Sequence, residues 1–331
     1  MQQRRFPRTP FSASVVGLGT WQLGADWGDV SEADALAVLE ASAESGVTFY
    51  DTADVYGDGR SEQLVGRFVA AHPDAGFTVA TKMGRRMDQV PANYVEANFR
   101  QWLDRSRKNL GVDTIDLVQL HCPPSEVIDD DATYDVLDRL VDEGVIAAYG
   151  VSVETCAQAL SAIARPHVAS VQIILNAFRM KPLDEVLPAA EAAGVGIIAR
   201  VPLASGLLSG KYDLDTTFAE DDHRTYNRDG SAFDVGETFS GVDYATGVEA
   251  AREFSALVSS SGLSDVTPAQ AAIAWIWQQP GVSTVIPGAR NVSQAEANAA
   301  AGLVGELPSP FLEGVAELYD RRIREHVHAR W

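Results

Sequence analysis

The chain has 331 residues, of which 46% are apolar and 22% charged, and its formal net charge is -20. That apolar fraction excludes an intrinsically disordered chain, and the length suits two average domains or one α/β barrel. The negative charge argues against nucleic acid or an anionic membrane as a partner, because both require clustered lysine and arginine. A small anionic ligand stays compatible with it, since such a ligand needs only a local positive pocket.

Cysteine usage and the N-terminus bear on the compartment. Cys122 and Cys156 are too few for a disulfide framework and fit a reducing environment. The basic residues near the N-terminus are followed by no apolar stretch of the kind found in a secretory signal. No run approaches the roughly 20 apolar residues that a membrane helix needs. We therefore expect a cytoplasmic protein without membrane contact.

Short apolar runs alternate with helical patterns along the whole chain. The eight runs cover residues 15–19, 47–51, 77–82, 114–121, 146–152, 168–174, 195–201 and 282–286. The helical patterns between them cover residues 33–44, 62–71, 94–110, 134–143, 154–164, 183–193 and 269–279. This alternation indicates βαβ units and a parallel sheet, and the uniformly apolar runs indicate strands covered on both faces. Eight runs favour an α/β fold of the (β/α)8 TIM barrel type over an open sheet.

Local signals around the barrel agree with this fold. Ser31 is a candidate N-cap of the first helix, and glycines follow several of the helical patterns. Residues 1–13 are expected to form an N-terminal hairpin or tail. Residues 212–243, after the seventh barrel strand, show no helical period and predict a long loop, which in a compact fold is usually functional or mobile. Extra C-terminal helices are predicted near residues 292–301 and 311–326, all within a single domain of residues 1–331.

Polar side chains lie at or near the ends of most of the predicted strands. In chain order they are Asp51, Lys82, His121, Ser152, Gln172 and Arg200. Tyr56 lies five residues after Asp51, in the loop after the second barrel strand. Because a parallel barrel has its active site at the carboxyl ends of its strands, we expect these side chains to meet on one rim.

The expected rim suits proton transfer to or from an oxygen atom. It combines an acid, a cation, an imidazole and a phenol. Lys82 is expected to lower the pKa of Tyr56 from about 10, and Asp51 to keep Lys82 charged and positioned. His121 can hold a substrate oxygen by a hydrogen bond. This set protonates a carbonyl or deprotonates an alcohol but supplies no electrons, so a nicotinamide cofactor is its natural companion.

Taken singly, each residue has a structural alternative. Asp51 could cap a helix, Lys82 could be a rim charge, and His121 could be a hydrogen-bonded structural histidine. Cys122, adjacent to His121, is expected to face the opposite side of the strand and to pack there. No metal site is expected, and metal-assisted hydrolysis is disfavoured, because Asp51 and His121 alone do not form a cluster of ligands.

The chain lacks a complete dinucleotide fingerprint. Residues 17–24, GLGTWQLG, begin like a Rossmann motif, but Gln22 stands at the third glycine and no helix opens there. Two other loops are candidates for phosphate binding, residues 202–211 after the seventh barrel strand and residues 287–290 after the eighth. The loops at these places form the usual phosphate site of a barrel, although both could be ordinary turns.

With these motifs the sequence resembles the aldo-keto reductase superfamily, in a bacterial-type branch, over nearly its whole length. The most specific match is FYDTADVYGDGRSE at residues 49–62, and shorter matches follow at 81–82, 118–121, 150–152, 202–203 and 286–288. The resemblance implies a barrel that binds NADP(H) without a Rossmann fold and interconverts a carbonyl compound and its alcohol. It makes Tyr56 the general acid/base, tuned by Asp51 and Lys82, with His121 orienting the carbonyl.

The resemblance also implies where the cofactor is held. The implied residues are Gly19, Thr20, Trp21 and Asp51 at the nicotinamide end, Ser152 and Gln172 at the carboxamide, Pro202, Leu203, Ala204, Gly206 and Lys211 at the pyrophosphate, Arg224 on the phosphate side, and Gly288, Arg290, Gln294 and Asn298 at the adenosine and its 2′-phosphate. Val153 stands where many members have an asparagine, and Gln294 where many have a basic residue, so NAD(H) use is also possible. Arg200 replaces an aromatic residue and is expected to stack its guanidinium on the nicotinamide.

Two questions remain open from the sequence. One branch of the superfamily serves ion channels as a nucleotide-binding regulatory subunit, and the acid-rich composition favours an enzyme over that alternative. The substrate pocket is expected to include Trp21, Trp27, Tyr56, Met83 and His121, with part of the 212–243 loop. Aromatic walls suit a flat or apolar carbonyl compound and also stack on sugar rings, and either direction of reaction is compatible with them.

Overall fold

The strands form one hairpin and one eight-stranded parallel sheet. The computed structural model describes residues 1–24, 30–228, 230–232, 235–263 and 265–331. Its strands are β1 Gln3–Arg5, β2 Ser12–Ser14, β3 Leu18–Gly19, β4 Phe49–Asp51, β5 Thr78–Met83, β6 Ile115–His121, β7 Ile146–Ser152, β8 Ser170–Ile174, β9 Gly196–Arg200 and β10 Val282–Val285. Strands β3 to β10 pair in chain order, so the predicted (β/α)8 barrel is confirmed.

Helices connect the strands and cover the outside of the barrel. They are α1 Glu32–Glu44, α2 Arg60–Ala71, α3 Glu96–Leu110, α4 Ser125–Ile128, α5 Asp131–Asp142, α6 Cys156–Ile163, α7 Val186–Ala193, α8 His223–Tyr226, α9 Tyr244–Ser260, α10 Pro268–Trp277, α11 Val292–Ala300, α12 Ser309–Arg322 and α13 Arg324–Val327. Ser31 caps α1 through the Asp34 amide, as predicted. Among the helices of the described residues, none is both long and apolar enough to cross a membrane.

The barrel closes between its first and last strands. The amides of Gly17 and Gly19 donate to the carbonyls of Val285 and Pro287, at 2.8 and 3.1 Å. A Cβ at Gly19 would lie 2.9 Å from the Ile286 carbonyl oxygen. The glycines that imitate the start of a Rossmann motif therefore allow two backbones to approach closely at the barrel seam.

The N-terminal hairpin closes the bottom of the barrel. Strands β1 and β2 pair antiparallel, with Arg5 opposite Ser12, which confirms the predicted hairpin and extends it to Ser14. Phe6, in the turn between them, is fully buried and stacks on Phe49 with ring centroids 5.6 Å apart. An apolar layer thus fills the lower part of the barrel. The polar side chains of the barrel interior lie at the opposite end, where the strands have their carboxyl termini.

Helix α9 has no counterpart in the sequence prediction. Half of its buried positions are small residues, Gly247, Ala250 and Ala251, which give a weak helical period. The Asp243 side chain caps it by accepting from the Thr246 amide at 3.1 Å. The preceding loop is also less irregular than predicted, since it contains the short helix α8.

We expect Asp243→Ala to lower the free energy of unfolding by about 1 kcal/mol, because it removes this cap. Urea denaturation measures the change. Asp243→Asn is the matched control, because asparagine caps about as well as aspartate. Equal destabilisation by the two substitutions would contradict the capping role.

Candidate active site

Side chains alternate in direction along each strand, and this places a set of polar side chains above the apolar layer. Phe49 and Ala80 belong to the lower cluster. Two residues further along the same strands stand Asp51 and Lys82, which face the same way because side chains repeat with a period of two. The carboxyl ends of neighbouring parallel strands thereby bring the predicted residues to one rim, as expected.

Asp51 and Lys82 form a buried ion pair. The Lys82 ammonium contacts Asp51 Oδ1 and donates to the Thr52 carbonyl at 2.9 Å. Asp51 Oδ2 accepts from the amides of Gln119 and Gln172, at 3.1 and 2.8 Å. Burial lowers the pKa of Lys82, but Asp51 and Tyr56 outweigh it and hold that pKa above its usual value. This contact is compatible with the prediction that Asp51 keeps Lys82 charged and positioned.

Tyr56 is placed by a tight turn after β4. It begins a 3-10 turn, Tyr56–Gly59, in which Gly57 has φ 59°. A Cβ at Gly57 would collide with the Gly24 backbone, so this position requires glycine. Tyr56 reaches the ion pair, with Lys82 Nζ 5.2 Å from its ring centroid.

The pKa of Tyr56 moves opposite to the prediction. Burial raises it above its usual value, and Lys82 only partly opposes that effect. Desolvation penalises the phenolate more than the neighbouring ammonium stabilises it. Tyr56 is therefore a protonated phenol at neutral pH, which suits a proton donor better than a base.

His121 completes the rim beside Tyr56. The two rings lie edge to face with centroids 6.0 Å apart. Burial, reinforced by Arg85, Lys82 and Arg200, holds the pKa of His121 well below its usual range. Its imidazole is therefore neutral, and its buried Nδ1 has no hydrogen-bond partner among the described residues. A neutral imidazole can hold an oxygen without acting as the proton source.

The predicted carboxamide ligands lie in register with His121. Ser152 pairs with His121 on one side and with Gln172 on the other. The Gln172 amide is occupied by Asp51 and by Gln119 Oε1, the latter at 3.2 Å. Cys122 does not pack on the opposite face as predicted, because it follows β6 with φ 50° and its Sγ lies 3.5 Å from Ser152 Oγ.

The two candidate phosphate loops have distinct conformations. After β9 the chain turns through successive left-handed residues, Ala204, Ser205 and Gly206, and Lys211 stands exposed at the loop end. After β10, Gln294 Oε1 accepts from the Arg290 amide at 2.8 Å, and Asn298 donates to the Gly288 carbonyl at 3.0 Å. Gln294 and Asn298 thus brace the loop that opens α11.

Two predicted cofactor ligands are engaged in ion pairs. Arg200 contacts Glu237 and donates to the Val153 carbonyl at 3.2 Å. Arg224 pairs with Asp222 within the 212–243 loop. To contact a cofactor, each arginine would have to leave its carboxylate partner or share it. The expected cofactor contacts of Arg200 and Arg224 stay predictions.

The pocket residues are only partly as predicted. The Trp21 ring lies 6.3 Å from that of Tyr56 and 5.3 Å from that of His223, a residue of the 212–243 loop. Met83 does not line the pocket; it is 1% exposed in the main apolar core, because it follows the inward-facing Lys82 and faces outward. Trp27 lies outside the described residues.

Sequence reasoning missed three polar residues near the site. Gln119 lies two positions before His121, so strand alternation could have identified it. Asp54 is fully buried, and burial together with Glu62 raises its pKa to about 7. Arg85 donates to the His121 carbonyl at 3.2 Å, and no signal in the sequence marks that contact.

Comparison with known proteins agrees with this geometry. The model of the Aldo/keto reductase family matches residues 15–320. The aldo-keto reductase YhdN of Bacillus subtilis is 29% identical over 90% of this chain and 87% of its own length. An uncharacterized oxidoreductase of Mycobacterium bovis is 32% identical over 87% of this chain and 84% of its own length.

Solved structures show the same fold. The glycerol dehydrogenase AKR11B4 from Gluconobacter oxydans superposes with a TM-score of 0.76, at 29% identity, covering 98% of this chain and 96% of that one. An aldo/keto reductase from Klebsiella pneumoniae, solved with NADP and acetate, superposes with a TM-score of 0.69 over 96% of both chains, and at 22% identity it supports the fold alone.

The family match and the relatives identify the chain as an oxidoreductase. The chain belongs to the aldo/keto reductase family.

Proposed function

We propose that the protein uses NADP(H) to interconvert a small aldehyde, ketone or sugar-like carbonyl compound and its alcohol. The observation that supports this most is the convergence of Asp51, Lys82, Tyr56 and His121 on one rim. The names of relatives agree with it, since one is a glycerol dehydrogenase and another was solved with NADP.

The residues around the rim fit a nicotinamide dinucleotide. Gln22 Oε1 is buried without a hydrogen-bond partner among the described residues, and it approaches Gly288 in the loop after β10. Ser152 and Gln172 would hold the carboxamide, and the loops containing Lys211 and Arg290 would hold the phosphates. When bound, the cofactor supplies or accepts the hydride.

The protein's own groups handle the proton and the oxygen. Tyr56, protonated at neutral pH, donates its phenolic proton to the carbonyl oxygen as the alcohol forms, and recovers it in the reverse direction. Lys82 stabilises the phenolate left behind, while Asp51 holds the ammonium in place. His121 donates a hydrogen bond that orients the carbonyl.

We expect kcat/KM for carbonyl reduction to stay level from about pH 6 to 10, because the active forms are protonated Tyr56 and neutral His121. A raised pKa keeps Tyr56 protonated up to a higher pH, and a lowered pKa keeps His121 neutral down to a lower pH. Steady-state rates with NADPH and an aldehyde measure the profile. An inflection near pH 6.5 or 8 would contradict these assignments.

A substrate panel tests the function directly. NADPH and NADH oxidation are each followed with an aldehyde, a ketone and a reducing sugar, and the reverse reaction with glycerol. We expect turnover with at least one carbonyl and a preference for NADPH. Tight NADPH binding without any turnover would favour a regulatory subunit and would contradict an enzyme.

A further inference from the structure

Three cations surround the catalytic imidazole. Lys82, Arg85 and Arg200 all lie close enough to His121 to depress its protonation. Lys82 is the penultimate residue of β5, Arg200 ends β9, and Arg85 follows β5 by two residues. The mouth of the barrel thus holds three cations, each paired with a carboxylate, in a chain whose net charge is -20.

Arg85 is the accessible member of this group. Its side chain is 27% exposed, whereas those of Lys82 and Arg200 are 1% and 9% exposed. Its Nε is fixed by the hydrogen bond to the His121 carbonyl. The guanidinium is therefore held beside the backbone of His121 and is partly open to solvent.

Arg85 also has the loosest carboxylate partner. The other two cations contact their carboxylates directly. The Arg85 NH2 group lies 3.5 Å from Glu154 Oε1, and Glu154 is itself 34% exposed. Charge-assisted hydrogen bonds are normally about 2.7–2.9 Å long, so this pair is open to exchange.

We propose that Arg85 binds an anionic group of the substrate, a carboxylate or a phosphate, while the carbonyl oxygen faces Tyr56 and His121. This inference rests on the proposed function and narrows its substrates to short aldehydes or ketones with an acidic group. The substrate anion takes the place of Glu154 beside Arg85. A guanidinium suits this role because its planar donors match two oxygens of either anion.

The overall charge makes such a residue useful. An acidic surface repels anionic molecules, so only a local cation can hold one at the barrel mouth. An anion bound by Arg85 would also lie close to His121. Arg85 would then hold the anionic end of the substrate, while its carbonyl end faces the reacting centre. Binding at that end improves the orientation of the carbonyl.

Paired substrates test the assignment in the full-length enzyme with NADPH. One arm compares succinic semialdehyde with its methyl ester, and a second compares glyceraldehyde 3-phosphate with glyceraldehyde. We expect a higher kcat/KM for the anionic member of at least one pair. The arm with the larger ratio distinguishes carboxylate from phosphate.

Substitutions at the barrel mouth provide the second readout. Arg85→Gln should lower the anionic-to-neutral ratio of kcat/KM by about ten- to a hundred-fold, mainly through the KM of the anionic substrate. Glu154→Gln removes the carboxylate that competes for Arg85. It should therefore lower the KM of the anionic substrate relative to that of the neutral one. Arg86→Gln is the matched control, because Arg86 is exposed and pairs with Asp58 instead.

The possible outcomes distinguish the role of Arg85 from the proposed function on which it rests. Equal use of charged and neutral substrates, or an unchanged ratio in Arg85→Gln, would overturn the role of Arg85 and leave the proposed function intact. A parallel loss of activity on both substrates in Arg85→Gln would also overturn it, and would make Arg85 a support for His121. Failure to reduce any carbonyl would overturn both.

Discussion

Tyr56→Phe is expected to lower kcat for carbonyl reduction by about 10²- to 10⁴-fold, which is the usual contribution of a positioned general acid. The change removes one hydroxyl and keeps the ring that packs beside Trp21 and His121. The affinity for NADPH should stay within a factor of about two, because the interaction lost is made in the transition state. Steady-state kinetics and fluorescence titration of NADPH measure the two quantities.

Tyr149→Phe is the matched control. The Tyr149 hydroxyl donates to Asp138 at 2.6 Å, in contact with α5 and away from the rim. We expect this variant to lose some stability and keep its turnover. If Tyr56→Phe retained full kcat on every substrate that the enzyme reduces, another group would have to supply the proton.

Lys82→Met is expected to lower the free energy of unfolding by about 3–5 kcal/mol, the usual cost of breaking a buried ion pair. Asp51 would keep its two amide donors but lose the ammonium that balances its charge. Activity should fall as well, because Lys82 no longer stabilises the phenolate of Tyr56. Denaturation in urea at neutral pH, with kinetics on the same preparations, measures both effects.

A double-mutant cycle isolates the pair. Asp51→Asn with Lys82→Met removes both charges, and the double variant should be more stable than the sum of the single losses predicts. The expected coupling is about 1–3 kcal/mol. Additive losses would mean that the two charges do not stabilise each other, in conflict with their contact in the structure.

Much of the fold follows from sequence patterns, because each barrel strand is buried on both faces. The runs from residues 146–152 and 77–82 coincide with β7 and β5 to within a residue. Helix α9 escaped prediction because alanine and glycine form half of its buried positions, and Gly247 packs closely against Leu207. Small residues give little contrast between the buried and exposed sides of a helix.

The site was predictable where the backbone alone decides the position. Asp51, Lys82 and His121 lie at or next to the carboxyl ends of neighbouring parallel strands, so topology brings them together whatever the side chains do. The same alternation places Met83 in the outer core, and applying it to Met83 would have avoided that error. The prediction of a lowered pKa for Tyr56 failed because burial raises that pKa. The desolvation of a side chain is not visible in a sequence.

Long-range side-chain contacts were also beyond prediction. Arg85 reaches the His121 carbonyl across 36 positions of sequence, and Arg200 reaches Glu237 across the loop that follows β9. Neither pair has a local pattern, because surface arginines and glutamates are common in a chain of this charge. These contacts nevertheless determine which cations at the rim are accessible to a substrate.

Transfer of deuterium tests the central claim most directly. The enzyme is incubated with an aldehyde and NADPH deuterated at the transferable position of the nicotinamide ring, and the alcohol product is analysed by mass spectrometry. We expect one deuterium on the former carbonyl carbon of the alcohol made by the native enzyme, and we expect Tyr56→Phe to lose this labelling together with its turnover. Alcohol without deuterium, or equal labelling rates in the two proteins, would contradict it.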